Sequence, residues 1–532
     1  KQPNRFYRGF NRVYESVKRP YMGMVGRMVS HPWITLVIFF LVIALAAWEF
    51  VRRPTGFLPT EDQGYAVLLA KLPDGASQPR VHRVSEQIEA ILKKTRGLAG
   101  WVDIGGYSIL DAAAVSTVIT VFVVYDDWSK RGRDLTQEKI VAGLNRDLFG
   151  IQDAIAFVVI PPPIRGLGQA GGFQMMVEDR RGNDLEGLQN TANRLVAAGN
   201  SRQDLQGLAT TFDAHSPQIF LDIDRTKALS LSVPIANVFT VLQGYLGSSF
   251  VNLFNKYNQI YQVYIQANDP YRHAPEDISN LYAKNTRGEM VPLGSILDIK
   301  RTQGAELITR YNLYPAAAIF GSAAPGFSSG QALVRMEEIA ASVLPQGMGY
   351  DWTATSYQEE QVGYQAYFIY ALSVTLVFMV LAALYESWTS PAAVILAVPM
   401  ALVGVLAALM FRGYDNNLYT QIGLVLMIAL ASKNAILVVE FARDLRREGL
   451  SITEAAIEAT SRRFRPIVMT SFAFTLGVAP LLLASGAGAA SQRAIGTVVF
   501  GGMLASTMLA IPFVPVFYVV LQRLSERRKG KK

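Results

Sequence analysis

Six apolar segments, each long enough to cross a lipid bilayer, constrain this sequence more than any other feature. A membrane-spanning helix needs about 20 predominantly apolar residues. The six segments are 31–50, 366–386, 391–411, 418–442, 466–484 and 494–521. The residues between the first and second segments have an ordinary mixed composition, which predicts a water-soluble domain. The sequence therefore predicts an α-helical membrane protein with one helix, a large extramembrane domain and a cluster of five helices.

Basic residues cluster in three places outside the apolar segments: 1–30, 443–465 and 523–532. An even number of predicted crossings separates these clusters, so all three lie on one side of the membrane. Because cytoplasmic flanks of membrane helices carry an excess of Lys and Arg, both termini are predicted in the cytoplasm and the large domain outside. The formal net charge of +8 therefore indicates topology and contact with membrane lipids, not nucleic-acid binding.

The leader before the first apolar segment has apolar residues at helical spacing with basic residues between them. These apolar residues are Phe6, Phe10, Val13, Tyr14 and Val17. The pattern predicts an amphipathic helix on the inner membrane surface, with a plain cytoplasmic linker as the alternative. The chain starts at Lys1 without a signal-peptide pattern, so we expect a processed chain or one half of a longer polypeptide.

The outer domain alternates strand and helix patterns. From residue 65 to 161 the predicted order is β-α-β-β-α-β, the ferredoxin-like arrangement. A second unit of this kind begins at 173 and resumes at 315, after an insertion rich in short strands. The predicted fold is therefore a helical membrane protein with an α+β outer domain that contains two ferredoxin-like (βαββαβ) units.

Motifs for enzyme chemistry are weak. The sequence has no GxxxxGK[ST], and residues 166–171 (GLGQAG) follow three prolines and lead into a predicted strand, which is the wrong context for dinucleotide binding. With no cysteine and four scattered histidines, metal-ligand spacing is missing. A thioether copper or silver site at Met175 and Met176 is the less favoured alternative. We expect no cofactor, no metal site, no catalytic residues and no enzymatic activity.

Lys433 is the residue that points most strongly to function. It lies inside the fourth apolar segment, about 15 Å along the helix from Arg443. A charge there costs about 3 kcal/mol or more, so it usually faces a partner or a water path. The functional hypothesis is an ion or proton relay, with Asn434, Thr470 and Arg463 close by in the predicted helices. The alternative is a lysine that only packs between helices. No Asp or Glu lies in the interior of any apolar segment, so a carboxylate partner must come from another chain or another half.

A series of motifs resembles one family over essentially the whole chain. The stretches are FLPTEDQG (57–64), VPLGSI (291–296), TRYN (309–312), GYDWT (349–353), ALYESW (383–388), SKNAILVVEFARD (432–444), RFRPIVMTS (463–471), SGAGAASQRAIGT (485–497) and FVPVFYVV (513–520). The sequence resembles the C-terminal half of resistance-nodulation-division (RND) transporters. Within these it is similar to the hydrophobe/amphiphile multidrug efflux branch of Gram-negative bacteria, the acriflavine-resistance type.

The resemblance implies a homotrimeric proton antiporter of the bacterial inner membrane. It would work with a periplasmic adaptor protein and an outer-membrane channel, and expel hydrophobic and amphiphilic small molecules without an ATP site. By the same resemblance, Lys433 pairs with two aspartates on a helix of the N-terminal half, and Arg463 and Thr470 match further members of the relay. Whether that half is fused to this chain or separate stays open.

The resemblance also implies a substrate pocket with a switch loop, here within 105–117. Tyr107, Ile109 and Leu110 are the candidate pocket or gate residues on this loop, and Phe157 and Val159 match positions that line the pocket. Ordinary core or loop packing is the alternative for all five. Apolar and aromatic lining suits large apolar substrates recognised by contact area.

The resulting division of the chain assigns each segment a part. The parts are a cytoplasmic leader (1–30), the first transmembrane helix (31–53), porter subdomain 1 (54–163), porter subdomain 2 (164–212 and 317–356), a docking subdomain (213–316), a five-helix cluster (365–522) and a cytoplasmic tail (523–532). Two rival functions remain: an RND exporter of lipids, metabolites or metal ions, and a non-transporting, membrane-tethered binding or receptor-like protein. An intramembrane lysine argues against a mere anchor.

Overall fold

The computed structural model describes residues 5–132, 134–182 and 184–529. These residues form two compact units. The larger comprises the described parts of Lys1–Pro73, Ser77–Thr211 and Arg310–Lys532, and the smaller comprises Asp74–Ala76 and Phe212–Thr309.

Two helices open the larger unit. Helix α1 (Arg5–Ser30) confirms the predicted helical leader, and it packs on the membrane helices through its C-terminal half, where Val25 and Val29 are buried. Helix α2 (Pro32–Arg52) begins with a proline at its first position, where the missing N–H costs no hydrogen bond. Most of α2 is exposed apolar surface, as expected of a helix that faces lipid.

The first sheet follows α2. Its elements are β1 (Tyr65–Lys71), α3 (Gln78–Lys94), β2 (Leu98–Ser108), β3 (Ala113–Tyr125), α4 (Trp128–Arg131), α5 (Gln137–Leu148) and β4 (Ile155–Val159). The strands are antiparallel in the order β2-β3-β1-β4. Helix α3 buries Val81, Val84, Ile88 and Leu92, whose spacing of three and four residues forms one apolar face.

The second sheet starts after a loop that contains Pro161 to Pro163 and GLGQAG. Its first elements are β5 (Phe173–Asp179), α6 (Leu185–Asn200) and β6 (Leu205–Thr210). The GLGQAG segment leads into strand β5, as the sequence predicts, and not into the helix that a dinucleotide site requires. Met175 and Met176 on β5 are both buried.

The smaller unit is the insertion. Its helices and strands are β7 (Ser216–Ile223), α7 (Arg225–Ser230), α8 (Ile235–Leu242), β8 (Ser249–Lys256), β9 (Gln259–Ile265), β10 (Tyr282–Lys284), β11 (Met290–Pro292) and β12 (Leu297–Gly304). The strands pair as three two-stranded sheets, β7 with β12, β8 with β9 and β10 with β11. A small core that includes Ala228, Val238, Leu293 and Ile296 holds the unit together.

The chain then completes the second sheet. The elements are β13 (Arg310–Tyr311), β14 (Tyr314–Ala323), α9 (Ser329–Val343) and β15 (Met348–Trp352), in the order β13-β14-β5-β15, with β6 also paired to β14. The predicted end of the insertion at 316 needs correction to 309, because β13 and the start of β14 pair with each other and Ala316 already pairs with Glu178 of β5.

The C-terminal region is helical. Its helices are α10 (Ala354–Tyr385), α11 (Thr389–Ile395), α12 (Val398–Arg412), α13 (Leu418–Arg447), α14 (Ile452–Leu482), α15 (Ala489–Ala505) and α16 (Ile511–Lys529). A single π-helical turn, Ser506–Ala510, joins α15 to α16, so the predicted last segment is one long interrupted helix. Within the described residues, six helical spans are long and apolar enough to cross a membrane, which confirms the predicted number. The chain is therefore a membrane protein.

Small residues bring the membrane helices close together. A Cβ added at Gly423 of α13 would lie 2.8 Å from Cγ1 of Val498 on α15, and one at Gly502 of α15 would lie 2.8 Å from the sulfur of Met427 on α13. Close approach through glycine is the usual way for helices to pack in lipid, where the hydrophobic effect supplies no driving force between them. Helices α13 and α15 therefore form a tightly packed pair.

Candidate functional site

Lys433 lies on an exposed face of α13. The same face carries Ile422, Leu426 and Ala429 at helical spacing, all exposed. A lysine in the middle of an apolar membrane face cannot stably face lipid, because the bilayer interior does not solvate an ammonium group. The face therefore requires a polar cover, such as a carboxylate-bearing helix, at the level of Lys433.

Asn434, the next residue, points the other way and is 3% exposed. Its amide nitrogen lies 3.4 Å from Oγ of Ser471 on α14 and 3.5 Å from Oγ of Ser506, the first residue of the π-helical turn. Asn434 thus joins three helical elements at one buried polar point. Sequence reasoning missed Ser471 and Ser506, since a single serine in an apolar helix gives no signal of its partner.

Thr470 and Arg463 both lie on α14 but at different levels. Thr470 precedes Ser471 and is exposed, and its hydroxyl donates to the Ile467 carbonyl at 3.0 Å. The contact between Asn434 and Ser471 brings α13 and α14 together at the level of Lys433 and Thr470. Arg463 lies about 10 Å further along the helix, with its guanidinium 4.6 Å from the centre of the Phe441 ring.

Four of the five predicted pocket residues come together. Leu110 belongs to a buried apolar cluster with Val67, Leu69, Val115, Val118 and Phe320, and Ile109, Phe157 and Val159 pack against it. We call this set the inter-sheet cluster, because Phe320 comes from β14 of the second sheet and Val67 and Leu69 from β1 of the first. Tyr107 is 36% exposed, and its carbonyl accepts a hydrogen bond from the Thr120 hydroxyl at 2.6 Å.

The loop between β2 and β3 is held by a residue that sequence reasoning missed. The carboxylate of Asp111 accepts hydrogen bonds from the hydroxyls of Ser108 and Thr211, each at 2.6 Å. Ser108 is the last residue of β2, whereas Thr211 follows β6 of the second sheet. Ala112, the residue after Asp111, has φ +50°, a backbone conformation that residues with a Cβ rarely adopt. Asp111 therefore ties the loop to the neighbouring sheet.

A separate cavity of about 340 Å³ lies between α9, α10 and the ends of α2 and α13. Glu359 on its wall is mostly enclosed, and the Ser329 hydroxyl donates to its carboxylate at 2.7 Å. Burial raises the pKa of Glu359 to about 7, the nearby Asp415 adds to the rise, and the Ser329 hydrogen bond opposes it. Burial also raises the pKa of Asp415, which Arg53 partly offsets. Glu359 lies outside the apolar spans. With this pKa, its carboxyl group changes charge near neutral pH.

Comparisons with known proteins agree with this architecture. The chain matches the model of the AcrB/AcrD/AcrF family over residues 1–522. It is 38% identical to the multidrug/solvent efflux pump membrane transporter MepB of Pseudomonas putida over 529 residues, which are 99% of this chain and 50% of that protein. It is likewise 38% identical to the toluene efflux pump membrane transporter TtgB, also of Pseudomonas putida, with the same coverage. The multidrug export protein AcrF of Escherichia coli is 38% identical over 523 residues, 97% of this chain and 50% of that protein.

The chain spans about half the length of the curated relatives it matches. All three relatives are named as transporters or export proteins. The matched residues include every motif quoted above from the sequence.

Proposed function

We propose, since the chain belongs to the AcrB/AcrD/AcrF family, that it is the C-terminal half of an RND multidrug exporter. Its sequence motifs resemble that family, and the family match confirms the resemblance. The exporter would use the proton gradient, with no bound cofactor, to expel hydrophobic and amphiphilic small molecules. The names of its relatives, which include multidrug, solvent and toluene pumps, support this substrate class.

The observation that carries the proposal is the position of Lys433. Its side chain lies on an exposed apolar face of α13, and no Asp or Glu lies in the interior of the six apolar segments. Carboxylates of the other half would cover this face and pair with Lys433, and their protonation would release it. In this proposal Thr470 on α14 would take part at the level of Lys433, Asn434 would fix α13 through Ser471 and Ser506, and Arg463 would stand nearer the cytoplasmic end of the path.

The inter-sheet cluster is the proposed substrate pocket in a closed form. Its apolar side chains from both sheets, including Ile109, Leu110, Phe157 and Val159, would line a cleft when the sheets separate, with Tyr107 at its edge. Alternating access would then couple protonation opposite Lys433 to opening and closure of this cleft. The antiparallel order β2-β3-β1-β4 supports two ferredoxin-like porter subdomains, since β6, β14, β5 and β15 follow the same order.

The assembly and location follow from the family and the charge pattern. We propose a homotrimer in the bacterial inner membrane, with both termini cytoplasmic and the sheet-containing domain in the periplasm. The insertion would dock an outer-membrane channel, and a periplasmic adaptor would complete the assembly. The N-terminal half would be part of the same polypeptide or a second chain. The intact mass of the native subunit distinguishes these arrangements, because this chain accounts for 58.4 kDa.

Replacement of Lys433 tests the proposed function. Lys433→Met, in the complete transporter and in a strain without other multidrug pumps, should reduce drug resistance to that of the strain without the gene. Glu440→Gln is the matched control, because Glu440 is exposed on the same helix near its end and should leave resistance unchanged. The variant should remain a folded trimer, so that the loss reports on transport. Full resistance with Lys433→Met at normal protein levels would reject the relay.

A further inference from the structure

A short segment between α2 and β1, residues 53–64, contacts the N-terminal ends of two membrane helices. We call it the junction segment. The Leu418 N–H, at the start of α13, donates to the carbonyl of Phe57 at 2.9 Å, and the Asn416 N–H donates to that of Pro54 at 3.0 Å. The junction segment therefore holds the start of the helix that carries Lys433.

Glu61 makes the contact with the second membrane helix, α15. Its carboxylate accepts hydrogen bonds from the N–H of Ala490 at 3.1 Å, from the N–H of Ser491 at 2.8 Å and from the Ser491 hydroxyl. These groups belong to the first turn of α15, whose N-cap residue Gly488 offers no side-chain cap. A carboxylate at this place satisfies free N–H groups and is favoured by the helix dipole. Glu61 is 6% exposed. It is therefore a buried cap of α15, although it lies 429 residues before Ala490 in the sequence.

The same residues are fixed to the first sheet on their other side. Asp62 forms an ion pair with Arg131 at 2.8 Å, and only 2% of the Arg131 side chain is exposed. The carbonyl of Gly64 accepts from the Tyr125 N–H at 2.8 Å, and strand β1 begins at the next residue. Gly64 has φ +82°, which turns the chain tightly into β1. A turn of three residues, held by these contacts, thus connects the cap of α15 to a central strand.

Helix α15 runs from Glu61 to the level of the relay. It spans Ala489–Ala505, about 25 Å at 1.5 Å per residue. Its far end joins Ser506, which lies against Asn434, and along its length Val498 packs closely on Gly423 of α13. A displacement of α13 at Lys433 would therefore strain its contacts with α15, because close-packed interiors transmit strain.

We infer that Glu61 is a positioning residue that couples the motion of α15 to strand β1 and so to the pocket. The inference rests on the proposed proton-driven export. Val67 and Leu69 of β1 belong to the inter-sheet cluster, so a shift of β1 changes the pocket directly. A cap from within the helix would satisfy the same N–H groups, as Ser451 does for α14, but would transmit nothing to the sheet. The proposed path runs from α15 through Glu61 to β1. Removing the Glu61 carboxylate tests whether this path carries the coupling.

The test uses the complete transporter in proteoliposomes with an imposed pH gradient and ethidium as the transported dye. Glu61→Ala should lower the maximal transport rate about tenfold or more while KM changes by less than about twofold, because the pocket remains and its drive is lost. The maximal transport rate of Glu61→Gln, which keeps one carbonyl acceptor, should lie between those of the wild type and Glu61→Ala. In Glu61→Ala, hydrogen exchange at Ala490 and Ser491 should accelerate while the amides of β1 stay protected, which shows a broken contact in a folded protein.

The matched control is Ser451→Ala, which removes a cap of similar chemistry from α14. The Ser451 side chain accepts from the Glu454 N–H at 3.2 Å, and this cap lies within its own helix. Its transport rate should stay within about twofold of the wild type. An unchanged maximal rate in Glu61→Ala would overturn the coupling, as would an equal loss in Ser451→Ala or a parallel loss of rate and of β1 protection. A wild-type protein that moves no ethidium would instead reject the proposed function itself.

Discussion

The carboxyl group of Glu359 should make the stability of this protein depend on pH near neutrality. The group lies on the wall of the 340 Å³ cavity, where burial and the nearby Asp415 oppose its ionisation. Two other carboxylates, Glu337 and Glu360, also line the cavity. The described residues that line it include no lysine or arginine to compensate their charge. Glu359→Gln leaves a neutral group of the same shape beside Ser329, so it removes the titration and little else.

The magnitude follows from the two pKa values of Glu359. Its pKa is about 7 in the folded protein and 4.5 in the unfolded chain. The folded state therefore binds the proton more tightly, and its advantage is complete below about pH 4.5 and lost as the pH rises to about 7. A difference of about 2.5 pKa units corresponds to about 3 kcal/mol. Glu359→Gln should thus stabilise the protein by about 3 kcal/mol above pH 7 and hardly at all near pH 4.5.

The assay is denaturant unfolding of wild type and Glu359→Gln in detergent at about pH 5 and pH 8.5. The difference in free energy of unfolding between the two proteins should increase by about 2 kcal/mol or more over this range. Glu360→Gln is the control, because Glu360 is the exposed neighbour and its replacement should give no such increase. An equal difference in the free energy of unfolding at both pH values would refute the argument that burial raises the pKa of Glu359.

Two further predictions concern packing and the pocket loop. Gly423→Ala should destabilise the helix bundle by about 1–3 kcal/mol, measured by thermal unfolding, because the new Cβ would lie 2.8 Å from Cγ1 of Val498; an unchanged Tm would show that α13 and α15 can separate at no cost. Asp111→Ala should accelerate hydrogen exchange in the loop between β2 and β3, since the hydroxyls of Ser108 and Thr211 lose their acceptor. Thr211→Val should have a similar effect and Thr211→Ser almost none, whereas equal exchange in all three variants would refute the tie.

Much of the fold could be predicted because apolar length and strand–helix alternation are local signals. The six membrane helices follow from uninterrupted apolar segments, and β1 to β5 lie where their alternation predicts them. The error at the end of the insertion has a physical cause. Residues 310–316 form a short hairpin that continues β14, and this pairing depends on β5, more than 130 residues earlier.

The candidate site was predictable only where chemistry is visible in one stretch of sequence. Lys433 is conspicuous because charge is costly inside an apolar segment. Glu61, by contrast, is an ordinary acidic residue in a loop until α15, 429 residues later, presents its N–H groups. Asp111 was missed for the same reason, because its second donor, Thr211, directly follows a strand of the other sheet. The interior of the six apolar segments contains no Asp or Glu, so the carboxylates of the relay stay a prediction.

The most direct test of proton-coupled export through Lys433 is the proton flux that substrate addition causes. The complete transporter is placed in vesicles with a pH-sensitive dye inside and a pH gradient across the membrane. Ethidium should accelerate the decay of the gradient with the wild type, and this acceleration should vanish with Lys433→Met while Glu440→Gln retains it. A substrate-dependent proton flux of wild-type size in Lys433→Met would contradict the account.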